Sequence, residues 1–128
     1  MTYADPVTLT RAAITQATAL PTTRVLDPAF TTGTMPVIHV HHVGGVSDDI
    51  DRTDTVGVDV YHTAPTTPAD PTAGQVASQV RDALAACPLD TPAGLVDDVT
   101  VVAEPVTRPY FETVEVSSST FEITHRPL

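Results

Sequence analysis

Lysine, asparagine and tryptophan are missing from this 128-residue chain, and cysteine occurs once. Each absence excludes something. The cationic side chains are six arginines spread from Arg11 to Arg126 without a cluster, against 16 acidic residues, for a net charge of -10. Proteins that grip nucleic acid draw most of their affinity from Lys and Arg neutralising phosphates, so sequence-directed DNA or RNA binding is not expected. A single cysteine, Cys87, cannot make an internal disulfide. It falls in an apolar helical pattern without an adjacent base, so it reads as a small packing residue and not as a nucleophile. No apolar run approaches the ~20 residues needed to cross a bilayer, and Met1 to Asp5 has neither a positive nor an apolar leader-like region, so no membrane partner is expected. With three Phe and three Tyr as its only aromatic residues, the core must come mostly from Val, Ala and Leu.

What is present is enough to fold. Leu, Ile, Val and Phe make up 32 of the 128 residues, above the level of a disordered acidic tail. The length suits one domain, residues 1–128, able to bury a core of its own. Two Asp-Pro pairs announce helices, because aspartate is a good N-cap and proline costs nothing at the first helical position. From Asp5-Pro6 the apolar residues Leu9, Ala13, Ala17 and Leu20 predict a helix over 6–19, closed by Pro21. From Asp70-Pro71 the stripe Ala73, Val76, Ala77, Val80, Leu84 and Cys87 predicts an amphipathic helix over 71–86.

Between the helices the period changes to two. Residues 36–43 and 55–62 read as strands, the second with Val56, Val58 and Val60 on one face. They are joined by a stretch with Asp48, Asp49, Asp51 and Asp54, expected as an exposed acidic tip that opens on the turn signal Gly44-Gly45. A short strand is expected around Arg24 to Leu26. The Pro/Thr-rich residues 63–71 read as a stiff exposed connector. Two closing strands are expected, over 99–104 and 110–125. In the last, Val114 and Val116 are out of phase with Phe121 and Ile123, which predicts a bulge or break near Ser117 to Ser119. The sum is an α+β domain: a mainly antiparallel sheet with an N-terminal helix and a second amphipathic helix packed on one face.

Residues that carry chemistry are sparse. His39 and His41 share one face of a strand, and His62 on the paired strand is the nearest third nitrogen for a metal. Surface or interface histidines are the default reading of this alternation. The acidic tip lacks the spacing of a calcium loop, and a solvated loop is the simpler reading. Glu104, Glu112, Glu115 and Glu122 fall in polar phases of strands, away from any apolar pocket that would separate their pKa values for acid/base work. No catalytic constellation emerges, and no cofactor is implied.

The order of elements, with a strand beginning Pro-Val-Ile (36–38), a Gly-Gly turn, an Asp-rich tip, Val-Gly-Val-Asp-Val-Tyr (56–61), Val-Arg-Asp-Ala-Leu (80–84) and a closing Phe-Glu-Ile-Thr (121–124), resembles the tail terminator proteins of long-tailed bacteriophages. That resemblance implies a structural, non-enzymatic virion protein of the neck region, made in the host cytoplasm. It implies a homo-hexameric ring on the head-proximal end of the tail tube, which stops tube polymerisation and docks the head completion (stopper) protein. DNA would only pass through the lumen. For such a ring the expected contact residues are Ser47, Asp48, Asp49, Asp51 and Asp54 on the tip, Arg11 on the first helix, and Arg108 and Tyr110 on the closing strands. The alternatives are another neck component, such as a head completion protein, or a small metal-binding protein using His39, His41 and His62.

Overall fold

In a computed structural model, which describes residues 2–47 and 51–127, two helices and six strands form an α+β domain. Helix α1 (Pro6–Thr18) starts where expected: Asp5 caps it, its carboxylate accepting from the Val7 and Thr8 amides. Helix α2 (Ala73–Ala85) starts two residues later than expected. Thr72 is its cap, in a reciprocal box in which Thr72 accepts from the Gln75 amide and the Gln75 side chain accepts from the Thr72 amide. Asp70 instead closes the preceding turn, accepting from the amides and hydroxyls of Thr66 and Thr67.

The strands are β1 (Thr22–Thr23), β2 (Val37–Ser47), β3 (Arg52–Thr63), β4 (Leu89–Thr91), β5 (Gly94–Phe111) and β6 (Val114–His125). They make one sheet in the order β1-β2-β3-β6-β5-β4, antiparallel except for the two-residue pairing of β1 with β2. The first short strand lies at 22–23, not 24–26, and β4 was not foreseen. Strands β2 and β3 both run further than the apolar alternation suggested, so Gly44, Gly45 and Asp54 lie inside the ladder, with a register shift between His42 and Gly44.

Both helices pack on one face of the sheet. Leu9, Ala13 and Ile14 from α1 and Val76, Ala77, Val80 and Leu84 from α2 meet Ile38, Val40, Val56, Val58, Val60, Phe121 and Ile123, all buried. This core is mostly aliphatic, as the shortage of aromatics requires.

The break expected near Ser117 to Ser119 does not occur: β6 pairs with β3 continuously from Val114 to His125. The phase conflict is resolved differently. Phe121 and Ile123 face the helices, whereas Val114 and Val116 face the other way, into a second cluster with Tyr61. Residues 26–37 lie over that end of the far face, where Leu26, Phe30, Met35 and Val37 cover it. The irregularities sit instead in the partner strand β5, which shifts register against β6 four times.

Candidate functional site

The helix-side face of the hairpin formed by β2 and β3 ends in a cluster of charge. Asp54 is fully buried. Its carboxylate accepts from Arg52 Nε at 2.9 Å, and it lies 2.9 Å from His42 Nε2 and 2.8 Å from His125 Nε2. Strand geometry brings these together: residues 52 and 54 share a face, and His125 stands opposite Arg52 on β6. Burial by itself would raise the Asp54 pKa, but the hydrogen bonds from Arg52, His125 and His42 outweigh it and hold the carboxyl below its usual range. An ionised carboxylate only accepts, so both imidazoles carry their proton on Nε2. His125 is buried too, edge-on to the Tyr3 ring at 5.7 Å, and its Nδ1 has no hydrogen-bond partner.

Gly45 lies directly across from Asp54. A Cβ there would overlap Asp54 Oδ1 and come within 3.3 Å of Arg52 Nη2. The glycine is therefore the gap into which the carboxylate fits, not a turn residue. A shallow cleft of about 440 Å³, lined by Tyr3, Asp5, Arg24, His42 and Arg52, opens beside the cluster. The charges at its wall are paired, Arg24 with Asp5 at 2.8 Å and Arg52 with Asp54. The cluster is chemically a pin: it fastens the N-terminal segment, the hairpin and the end of β6 to one another.

On the far face, His39 and His41 sit side by side, ring centroids 5.2 Å apart, around Asp59. His41 Nε2 is 3.2 Å and His39 Nδ1 3.9 Å from Asp59 Oδ2, while His39 Nε2 lies 3.0 Å from the Arg24 carbonyl. His62 does not join them. His39 pairs with Asp59, and His62 is three residues beyond Asp59, so the pleat sends it to the opposite face, where it pairs with Glu115. The His39, His41 and His62 trio is thus not assembled. Among the described residues no group of three or more His, Cys, Asp or Glu is arranged to hold a metal ion.

The residues expected at contacts are dispersed. Arg11 binds within its own chain, donating from Nε and Nη2 to the hydroxyl and carbonyl of Thr22, each at 3.1 Å. Ser47 ends β2 opposite Arg52. Asp48 and Asp49 lie outside the described residues. Asp51 is 3.9 Å from Arg126. Asp54, expected on the acidic tip, is instead the centre of the buried cluster, because β3 extends past it and Arg52, His42 and His125 satisfy its charge.

Arg108 and Tyr110 lie at the other end of the sheet, where β5 and β6 join through Glu112 and Thr113. Tyr110 stands 5.0 Å from the Tyr61 ring and 5.7 Å from Phe30, and Phe30 is 4.7 Å from Tyr61. Three of the six aromatic residues thus form one cluster. Val106 and Phe111 beside it are exposed.

The chain matches no protein-family model and no curated protein. Among the described residues no helix is long and apolar enough to cross a membrane.

Proposed function

We propose that the chain is a structural virion protein of a long-tailed bacteriophage: a tail terminator, forming a ring at the head-proximal end of the tail tube. In that place it stops tube polymerisation and offers the surface on which the head completion protein docks. The observation that carries this reading is the state of the two sheet flanks. On one side β1 pairs only with Ile38 and His39, and on the other β4 pairs only as far as Val96 of β5, so most of β2 and β5 has no outer neighbour among the described residues. The two flanks are different surfaces. A contact between them is head-to-tail, the kind that closes into a ring when the rotation per copy allows it. Pro105, Pro109 and the four register shifts obstruct a continuous ladder on β5, so the contact is made by packing of side chains.

The absence of a catalytic constellation from the sequence and the paired state of the buried charges fit an assembly part better than an enzyme. A charge of -10 per copy favours free passage of DNA where the acids line the lumen. The test is negative-stain imaging of the purified chain, alone and mixed with polymerising tail-tube protein. Rings, and tubes capped and arrested at one end, are expected. Unaltered tube growth with no density at the tube end overturns the proposal. Binding to portal or adaptor rings instead marks another neck component.

A further inference from the structure

Arg108 differs from the other five arginines. Arg11, Arg24, Arg52, Arg81 and Arg126 all donate hydrogen bonds within their own chain, four of them to carboxylates. Among the described arginines Arg108 alone has neither a hydrogen-bond nor an ion-pair partner, although the chain carries 16 acids. It stands opposite Val116 on the far face, and Val116 is flanked on its other side by Tyr61. Around it are three exposed large apolar side chains of β5: Val106 at 65%, Phe111 at 57% and Tyr110 at 47% of full exposure. An unengaged guanidinium ringed by aromatic and aliphatic surface is the composition of an interface hot spot. Such a patch is complementary to a carboxylate flanked by apolar groups.

We infer that this patch is the docking surface for a second copy of the chain, which supplies an exposed carboxylate to Arg108. Charge complementarity selects the occupant. Copies with ten net negative charges repel one another over most of their surface. The Arg108 patch is where an unpaired positive charge and exposed apolar area coincide, so it is where another acidic copy gains by approaching. The carboxylates a copy can offer far outnumber its arginines, five of which are already engaged. In a ring the acid that meets Arg108 lies on the opposite flank of the neighbouring copy, which makes the contact heterologous. The inference deepens the ring reading and rests on it.

The test is the mass of the full chain in solution over a concentration series, by sedimentation velocity, for wild type, Arg108→Glu and Phe111→Ser. Both substituted side chains are exposed, so thermal melting should match wild type and confirm that the variants fold. Wild type should associate, and each variant should need roughly tenfold or more higher concentration to do so, the scale of a lost hot-spot contact. If wild type associates and both variants follow the same curve, the patch is not the contact and the ring reading is untouched. If wild type stays at monomer mass at every concentration and forms no rings on tail tube, the ring reading fails and the second copy with it.

Discussion

Replacing Asp54 with Asn tests whether the buried cluster is a structural pin. The substitution keeps the shape and removes the charge, leaving an amide that can satisfy only part of what the carboxylate accepts from Arg52, His42 and His125. Hydrogen bonds to a charged group contribute about 1.5–3 kcal/mol each, and stranding one member of a buried pair costs about 3–5 kcal/mol. Arg52 and His42 keep about a third of their side-chain surface in water and can rehydrate, whereas His125 cannot. The expected loss is therefore near the low end, about 3 kcal/mol, or roughly 10 °C in melting temperature for a chain of this size. Urea unfolding followed by far-ultraviolet circular dichroism at pH 7 measures it. The pH dependence adds a second check. Because the folded pKa of Asp54 is lowered, its contribution is complete above the unfolded value near 4 and is lost as pH falls from there towards the folded pKa. The gap between wild type and Asp54→Asn should therefore persist down to about pH 4 and narrow below it. A loss under ~1 kcal/mol at pH 7, or a gap that keeps widening below about pH 4, refutes the reasoning.

Gly45→Ala should destabilise by about 1–3 kcal/mol in the same urea assay, because the new methyl meets the immobilised Asp54 carboxylate, whereas Gly44→Ala, with nothing within 4 Å of its Cβ, should be near neutral. Thr72→Ala should cost about 1 kcal/mol of thermal stability, since Thr72 and not Asp70 caps α2. Val116→Ser should cost about 2 kcal/mol, because Val116 is buried on the face away from the helices. Ser118→Ala, two residues along on that same face, should cost nothing, as its hydroxyl oxygen is buried without a partner in the native fold.

The fold class was legible because its signals are local. Asp-Pro at 5–6, the stripe from Ala73 to Leu84 and the Val56, Val58, Val60 alternation each act within a few residues. The start of α2 was misread between two adjacent cap signals: Thr72-x-x-Gln75 is a complete capping box, and it outcompeted Asp70-Pro71. The charge cluster was not legible. Asp54 meets His42 and His125 across 12 and 71 residues, and a run of aspartates near two glycines reads most simply as a loop. Two signals were nevertheless there. Arg52 and Asp54 stand two apart in a Thr-rich stretch, as an ion pair on one face of a strand does, and His42 breaks the His39/His41 alternation onto the other face.

Strand β6 shows how one sequence conflict ties the fold to its exposed surface. An uninterrupted strand with Val114 and Val116 on one phase and Phe121 and Ile123 on the other must find apolar cover on both faces of the sheet. The helices provide it on one side. On the other, residues 26–37 reach only one end, so the polar remainder of that face carries His39, His41 and Asp59, and the second cluster stops at an open rim. That rim is where Tyr110, Phe111, Val106 and Arg108 stand exposed. A hydrophobic cluster completed within the chain would end in polar residues at its border, as the far face does at His39 and His41. Here it ends in aromatic surface and an unpaired arginine, the composition that the proposed contact with a second copy would cover.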